Sequence, residues 1–365
     1  MIRVMVVDDS PLVRKIATDI LNKDPGIIVT ATAAKAEFAL NKLEREQPHV
    51  ITMDMEMPGM GGLEAIREIM RRRPTPVIVL SAHAKRGAEL TLQALEAGAV
   101  DFMLKPTASL SGGLDAVARE LIEKVKSACG VDLKSVEAPS VVSEPAGPPV
   151  GDAARKPLGL VRPPAGRPAA GRYELVAIGT STGGPVALKT VLSGLPGDFP
   201  LAIVVVQHMP PVFTKAFAER LDATCPLRVK EAESGDAILP GRVLIAPGNH
   251  HLAVLRYAAE PKVLLNQRAP VSGHRPSVDV LMHSVAREYG PRAIGVIMTG
   301  MGRDGADGIG ELRRRGGYIL AQDKDSSVIF GMNREVIANG DADEVLALQQ
   351  IPGRLLQTVC DRASA

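Results

Sequence analysis

The chain has 365 residues, of which 45% are hydrophobic and 23% charged, and its formal net charge is +2. Such a chain can form two or three domains, each with its own core, and the composition is that of an ordinary soluble protein. The small net charge excludes any argument from charge for a nucleic-acid or anionic-membrane partner.

Other features of the whole chain indicate a cytoplasmic protein. The cysteines are isolated in the sequence, which argues against a zinc cluster or a disulfide framework. No apolar run approaches the roughly 20 residues of a membrane span. The N-terminal segment reaches the acidic pair Asp8 and Asp9 too early for a signal peptide. We therefore expect a cytoplasmic location.

Strands and helices alternate regularly in the first third of the chain. The predicted strands are IRVMVVDD, IIVTATA, HVITMD, VIVLSA and DFMLKP, and a helical pattern follows each of them. Five βα units of this length predict a parallel, doubly wound sheet. The strands are apolar throughout, as expected when helices cover both faces. We predict a first domain over residues 1–127.

The next segment, 128–172, interrupts this alternation. Eight prolines lie between Pro139 and Pro168, with scattered Gly, Ser and Ala and little apolar periodicity. Such a composition cannot form a core and is typical of a stiff, extended linker. Five basic residues and no acid lie between Arg155 and Arg172. We interpret them as part of a solvated linker rather than as a binding patch.

The alternation returns over 173–365, where we predict a second, larger α/β domain. Its predicted strands are ELVAIG, LAIVVVQH, RVLIAP, AIGVIMTG and GYILAQD, with helical segments among most of them. The segments HLAVLRYA and KVLLNQ, joined by AEP, predict an antiparallel hairpin inserted into the series. The fold class is therefore α/β, with two doubly wound domains, the second mainly parallel.

Polar residues end four of the predicted strands in the first domain. Asp8 and Asp9 end the first strand, Asp54 the third, Ser81 the fourth and Lys105 the fifth. The carboxyl ends of parallel strands form the ligand-binding edge of such a sheet. Three convergent carboxylates would repel one another, and Mg²⁺ prefers a few carboxylates together with waters and a phosphate. The sequence thus predicts a magnesium site beside a phosphoryl group carried by Asp54.

The motifs VVDDS, MDMEMPGMGG, VLSA and DFMLKP occur in order over residues 1–127. In sequence and spacing, this segment resembles a response-regulator receiver domain. The resemblance implies a five-stranded, flavodoxin-like fold. It also implies that Asp54 is the phospho-acceptor and that Asp8, Asp9 and Asp54 bind Mg²⁺.

Further positions follow from the same resemblance. Ser81 and Lys105 would sense the phosphoryl group, and Phe102 occupies the position of the switch aromatic of receivers. Gly61 departs from the pattern, because receivers usually carry Asp after the PxM motif. That acid is not a metal ligand, so we expect altered loop packing rather than lost chemistry.

The loop Gly179-Thr180-Ser181-Thr182-Gly183-Gly184 joins a predicted strand to a predicted helix. It matches neither the dinucleotide motif G-x-G-x-x-G nor the P-loop motif. It does match G-x-S-x-G, in which small residues allow a sharp turn that exposes a serine. The amides of the following helix start would face the same point and suit an oxyanion. A turn-forming role for these small residues is the alternative interpretation.

A nucleophilic serine needs a base, because its own pKa makes it a poor nucleophile. His208 ends the apolar strand LAIVVVQH, on the edge where Ser181 is expected. The alternative for His208 is an ordinary loop or capping histidine. The other histidines fall elsewhere: in the first domain, beside the hairpin, in the polar loop SGHRPS (His274) and within a predicted helix (His283).

The segment MTGMGRDGADG supplies a candidate acid and also a rival motif. Gly300, Gly302 and Gly305 satisfy G-x-G-x-x-G, so a nucleotide site is a real alternative. Against it, Asp304 would stand beside the pyrophosphate and repel it. The same carboxylate suits a catalytic triad, in which an acid orients the histidine. The order Ser181, His208, Asp304 differs from that of α/β-hydrolases.

Several strings in 173–358 identify a closer resemblance, among them IGTSTGG, VVQHMPPVFTKAFAERL, HRPSVDVLMHSVA and MTGMGRDGADG. This region resembles the catalytic domain of the chemotaxis protein-glutamate methylesterases. The resemblance implies hydrolysis of γ-glutamyl methyl esters on chemoreceptors, release of methanol, and deamidation of receptor glutamines to glutamate. Ser181 would be the nucleophile, His208 the base and Asp304 its orienting acid. The loop geometry and the resemblance make the amides near Thr182 and Met301 our candidates for an oxyanion hole, and no cofactor is expected for the esterase chemistry.

The two resemblances together imply a phosphorylation-activated enzyme. Its phosphodonor would be a histidine kinase of the chemotaxis type and its substrate the membrane-bound methyl-accepting receptors. We expect a monomer that binds no nucleic acid. In the unphosphorylated state the receiver should pack over the catalytic edge. A receiver-controlled nucleotide-binding protein, a DNA-binding regulator and a signalling scaffold without turnover are the alternatives; the second is disfavoured because no compact helix-turn-helix pattern is found.

Overall fold

The structure is a computed structural model, and it describes residues 1–81, 85–106, 114–131, 133, 173–257 and 260–360. The predicted linker, 128–172, therefore lies almost entirely outside the described residues. Within the described residues, no helix is both long and apolar enough to cross a membrane.

The N-terminal part forms a five-stranded parallel sheet flanked by five helices. Its strands are β1 (Ile2–Val7), β2 (Ile27–Ala33), β3 (Val50–Asp54), β4 (Val77–Ser81) and β5 (Asp101–Leu104). Its helices are α1 (Pro11–Leu21), α2 (Ala36–Glu46), α3 (Gly61–Arg72), α4 (Lys85–Glu96) and α5 (Leu114–Ala128). The strand order β2-β1-β3-β4-β5 is that of flavodoxin-like folds, which confirms the predicted fold class.

The C-terminal part forms a larger sheet and a separate hairpin. Its strands are β6 (Leu175–Thr180), β7 (Ala202–Gln207), β8 (Arg228–Glu231), β9 (Arg242–Ile245), β10 (His251–Tyr257), β11 (Glu260–Asn266), β12 (Ala293–Ile297), β13 (Tyr318–Gln322) and β14 (Glu344–Leu346). Its helices are α6 (Gly184–Ser193), α7 (Phe213–Thr224), α8 (Val278–Glu288), α9 (Ala306–Arg314), α10 (Met332–Ala338) and α11 (Ile351–Cys360).

Seven of these strands pair in the order β14-β13-β12-β6-β7-β9-β8, and all the pairings are parallel. Strands β10 and β11 form the predicted antiparallel hairpin. The edge strands β8 and β14 were not predicted, because they are short and their sequences, RVKE and EVL, carry little apolar signal. The central strands, by contrast, are buried along their whole length.

The strand order reverses at β6, which lies between β12 and β7. Residues 175–179 pair with 293–297 on one side, and 175–180 pair with 202–207 on the other. In an open α/β sheet, the crevice beyond such a reversal is the usual place for a ligand. The loops that follow these three strands contain Ser181, His208 and Asp304.

Candidate active site

Ser181 lies in the sharp turn between β6 and α6. Its backbone amide donates to the Thr299 carbonyl at 3.0 Å, and the Gly184 amide donates to the Ser181 carbonyl at 2.8 Å. Gln207 Nε2 donates to the same carbonyl at 2.9 Å and to the His208 carbonyl at 3.0 Å. One buried amide side chain thus ties the serine turn to the residue that follows β7.

Gly184 is required by the close packing under this turn. A Cβ atom at Gly184 would lie 2.0 Å from Gln207 Oε1 and 2.5 Å from Thr180 Oγ1. Real Cβ atoms do not approach other atoms so closely. This steric need explains the glycine that directly follows the G-x-S-x-G motif.

His208 and Asp304 form a direct pair at the same sheet edge. His208 Nε2 lies 2.7 Å from Asp304 Oδ2, and the two side chains are 8% and 1% exposed. The backbone amide of His208 donates to the Thr180 carbonyl at 3.1 Å, which places the imidazole next to the Ser181 turn. Ser181 and His208 both line one cleft of about 590 Å³.

Asp304 is held by four hydrogen bonds. Besides His208 Nε2, its carboxylate accepts from Ser277 Oγ (2.8 Å) and from the amides of Val278 (2.7 Å) and Asp279 (3.2 Å). Burial opposes ionisation of Asp304, but the hydrogen bond and charge of His208, followed by the other donors, outweigh it and lower the pKa of Asp304. The carboxylate is therefore ionised and accepts only.

Because the carboxylate only accepts, the proton of the His208–Asp304 hydrogen bond belongs to Nε2 of His208. His208 Nδ1 then carries the lone pair, and this atom is buried without a hydrogen-bond partner among the described residues. Within the same residues, no hydrogen bond joins Nδ1 to the Ser181 hydroxyl. Hydrogen bonds of a catalytic serine are often long in a structure without substrate.

A second histidine, His274, packs on the first. The two rings stack with centroids 3.8 Å apart and planes 9° from parallel. Burial, followed by the charge of His208, lowers the pKa of His274 to about 4. The backbone of His274 pairs with Val271 across a two-residue turn. Sequence reasoning placed His274 in a polar loop and did not identify this contact; a histidine three residues before the helix-capping Ser277 was the available signal.

The two oxyanion candidates belong to the same cleft as Ser181. Thr182 and Met301 both line the cleft. Within the described residues, the backbone amides of Thr182 and Met301 donate no hydrogen bond. The Ser181 carbonyl, in the same peptide as the Thr182 amide, accepts from Gln207 Nε2 at 2.9 Å, and the Gly300 carbonyl, in the same peptide as the Met301 amide, accepts from the Met332 amide at 2.9 Å. Two fixed, unpaired amides beside a serine are suited to stabilising a developing oxyanion.

At the edge of the first sheet, carboxylates gather around one lysine. Ligand oxygens of Asp8, Asp9 and Asp54 all lie within 4.8 Å of one another. Lys105 Nζ is 2.7 Å from Asp54 Oδ2 and 3.1 Å from Asp8 Oδ2. Burial, and next the charge of Asp54, raise the pKa of Asp8. Burial opposes protonation of Lys105, but its hydrogen bond to Asp54 helps to raise the pKa of Lys105.

This donor set fits Mg²⁺. Carboxylate oxygens are the ligands that Mg²⁺ prefers, and a bound cation offsets the repulsion between neighbouring carboxylates. The Asp8 and Asp54 side chains are almost wholly buried, while Asp9 is exposed. The cluster can therefore hold an ion with one side open to water and to a phosphoryl donor.

The other receiver positions lie as follows. Ser81 ends β4, next to β3, and its Oγ is 2.8 Å from Thr91 Oγ1. Phe102 in β5 is buried and stacks on Phe213 of α7, with centroids 4.8 Å apart. Gly61 has a φ of +73°, a left-handed conformation that glycine adopts without strain, and it begins α3.

The first domain contacts the second directly beside Ser181. Asp101 Oδ2 accepts from Thr182 Oγ1 at 2.5 Å and from Lys124 Nζ at 2.6 Å. Ser127 Oγ lies 2.9 Å from Met301 Sδ. Both oxyanion candidates therefore have side chains in contact with the receiver.

A second group of contacts lies around α4. Glu96 at its end pairs with Lys189 Nζ at 2.7 Å and with the Arg220 guanidinium. Burial opposes ionisation of Glu96, but the hydrogen bonds of Arg220 and Lys189 lower its pKa. With the Phe102–Phe213 stack, these contacts hold the receiver against helices α6 and α7, which follow the loops that carry Ser181 and His208.

Family comparisons agree with both resemblances. Residues 176–355 match the family model described as CheB methylesterase, and residues 4–111 match the response regulator receiver domain. A protein-glutamate methylesterase/protein-glutamine glutaminase of Koribacter versatilis is 48% identical over 100% of this chain and 98% of its own length. One of Pseudomonas aeruginosa is 42% identical over 100% of this chain and 98% of its own length.

A solved structure also shows that the second domain is similar to a CheB methylesterase catalytic domain. The CheB methylesterase catalytic domain of Thermotoga maritima is 44% identical and superposes with a TM-score of 0.50, covering 51% of this chain and 98% of that one. Since relatives above 40% identity span both domains, the chain belongs to the family of receiver-linked protein-glutamate methylesterases.

Proposed function

We propose that the chain is a phosphorylation-activated protein-glutamate methylesterase and protein-glutamine glutaminase of chemotaxis adaptation. The observation that carries the catalytic assignment is the His208–Asp304 pair, 2.7 Å apart, at the sheet edge where the Ser181 turn lies. Its substrates are methyl-accepting chemoreceptors, as the combination of a receiver domain with a CheB methylesterase domain implies.

The ester reaction begins when Ser181 Oγ attacks the side-chain carbonyl carbon of the methylated glutamate. His208 takes the serine proton at Nδ1, and Asp304 stabilises the imidazolium through Nε2. The amides of Thr182 and Met301 donate to the oxyanion of the tetrahedral intermediate. Proton return from His208 to the methoxide oxygen releases methanol and leaves an acyl-serine, which water hydrolyses by the same sequence.

Deamidation uses the same groups. The glutamine side chain offers an amide carbonyl in place of the ester carbonyl, and His208 returns the proton to nitrogen, so that ammonia leaves. Both substrates give the same acyl-serine and the same glutamate product. A single serine site therefore suffices for both activities.

The receiver controls access to this site. Asp54 accepts a phosphoryl group from a chemotaxis-type histidine kinase, and Asp8, Asp9 and Asp54 would hold Mg²⁺. When bound, this ion neutralises carboxylate and phosphoryl charge. Lys105 and Ser81 bind the phosphoryl oxygens, and Phe102, stacked on Phe213, links this end of β5 to the catalytic domain. Phosphorylation loosens that packing.

The remaining assignments are part of the same proposal. We assign 1–127 to the receiver, 128–172 to the linker and 173–365 to the catalytic domain, in a cytoplasmic monomer that binds no nucleic acid. The rival nucleotide site at Gly300–Gly305 is disfavoured, because Asp304 points to His208. A Cβ atom at Gly300 would also lie 2.9 Å from the Ser181 Cβ, so the loop packs on the serine.

Methanol release from methyl-labelled receptor membranes tests the proposal. Wild-type protein should release methanol faster when beryllium trifluoride and Mg²⁺ occupy the receiver, and Ser181→Ala should release none. Asp54→Asn should keep the unstimulated rate and lose the stimulation. A Ser181→Ala protein that is folded and still active would refute the serine mechanism, and an Asp54→Asn protein that is still stimulated would refute the switch.

A further inference from the structure

Within the described residues, the hydrogen bonds between the domains use neither the Ser181 hydroxyl nor the His208 imidazole. The receiver binds Thr182 through its side-chain hydroxyl and Met301 through its sulfur. Neither contact uses the backbone amides, and within the described residues nothing hydrogen-bonds to the Ser181 hydroxyl or to His208 Nδ1. The His208–Asp304 pair is formed in this closed arrangement, at 2.7 Å.

A cleft of about 590 Å³ remains between the two domains and includes Ser181 and His208 in its wall. Pockets that enclose small organic ligands measure roughly 300–1,000 Å³. Three acidic and three basic side chains line this cleft, so neither sign of charge is in excess and no feature of the lining selects for a charged ligand. They are Asp101, Glu120, Glu123, Arg119, Lys124 and Arg275.

A receptor helix of several turns exceeds the volume of this cleft. An α-helix with its side chains is about 10–12 Å in diameter and fills roughly 400–600 Å³ per turn. Asp101 touches Thr182, the neighbour of Ser181, at 2.5 Å. A helix lying across Ser181 would have to occupy the position of the receiver wall. The closed arrangement of the two domains therefore admits small substrates to Ser181 and excludes receptor helices.

We infer that the resting, unphosphorylated chain hydrolyses small uncharged carboxylic esters, and that its receiver excludes helical substrates without disabling the chemistry. This inference rests on the proposed function, since it uses the same Ser181 and His208. Ser181 Oγ bonds to the ester carbonyl carbon and its proton moves to His208. The carbon–oxygen ester bond breaks, the alcohol leaves with that proton, and water then releases the carboxylic acid.

The test compares two substrates with one readout, methanol. The small substrate is the γ-methyl ester of N-acetylglutamate α-amide, and the large one is methyl-labelled receptor membranes. Full-length protein is assayed with Mg²⁺, with and without beryllium trifluoride. We expect kcat/KM for the small ester to change less than threefold between the two states, while receptor demethylation rises at least tenfold. Ser181→Ala should abolish both activities.

An interface variant gives a second measurement. Arg220→Ala removes one partner of Glu96 and should raise resting receptor demethylation at least threefold, with less than a twofold change for the small ester. Arg228→Ala, an exposed arginine on β8, is the matched control and should change neither.

Two results overturn the inference while the proposed function stands. One is a small-ester rate that rises with activation by the same factor as receptor demethylation, which would mean that the receiver controls the chemistry. The other is no small-ester hydrolysis in either state by protein that demethylates receptors. Absence of receptor demethylation in the activated state, with intact protein and receptors, would instead refute the proposed function.

Discussion

Replacing Asp304 by asparagine changes a single atom in the candidate triad. In the wild type, Oδ2 accepts from His208 Nε2 and from the Val278 amide, and Oδ1 accepts from Ser277 Oγ and the Asp279 amide. Both oxygens therefore face backbone N–H donors. In either orientation, the amide group of the Asp304→Asn variant directs an N–H toward one of these donors.

The Asp304→Asn substitution should lower both the free energy of unfolding and kcat. An unsatisfied buried donor lowers the free energy of unfolding by about 1–3 kcal/mol. If the amide nitrogen takes the Oδ2 position, His208 must accept at Nε2 and carry its proton on Nδ1, so it can no longer act as a base toward Ser181. In a serine protease, the equivalent change of the triad aspartate to asparagine lowers kcat about 10⁴-fold, because the histidine takes the wrong tautomer.

The assay is methanol release from receptors under activating conditions, together with urea unfolding. Ser277→Ala is the matched control, because it removes one hydrogen bond of Asp304 and keeps the carboxylate. We expect less than a tenfold loss of kcat for the control. If Asp304→Asn keeps more than a tenth of the wild-type rate, Asp304 does not orient the base and the triad assignment is wrong.

Three further perturbations test other parts of the structure. Gly184→Ala should lower the free energy of unfolding by about 2 kcal/mol or more, because its Cβ would lie 2.0 Å from Gln207 Oε1. Gly353→Ala, with open space around the added Cβ, should be neutral or stabilising in the same urea titration; equal effects would contradict the packing argument. Glu96→Gln should weaken the domain contact by about 1 kcal/mol and raise resting receptor demethylation about fivefold; an unchanged methanol rate would show that this ion pair does not hold the closed state. His274 has a pKa of about 4 in the folded chain and an ordinary value of 6.5. As the pH falls, the unfolded state therefore binds the proton first, and the free energy of unfolding decreases from pH 6.5 down to pH 4. His274→Phe should lose less stability than the wild type over this range, as measured by urea unfolding at pH 7 and pH 5, and identical losses would refute the assignment.

Much of the fold was predictable because it depends on local patterns. Buried parallel strands have unbroken apolar sequences, and the helices between them show the helical spacing of apolar residues. The two edge strands β8 and β14 were missed because exposed, short strands lack that signal. The hairpin of β10 and β11 was found because its two strands are adjacent in sequence.

The candidate site also has features that the sequence predicted and features that only the folded structure revealed. Ser181, His208 and Asp304 each follow an apolar strand, so the amino-acid pattern was enough to predict that a parallel sheet brings them to one edge. That pattern could not show which imidazole nitrogen faces Asp304, because the answer depends on how a loop 96 residues away packs. The stack of His274 on His208 and the bond from Thr182 to Asp101, 81 residues apart, likewise became visible only in the folded chain. Contacts of this kind arise where loops and domains meet, and no local period or spacing in the chain encodes them.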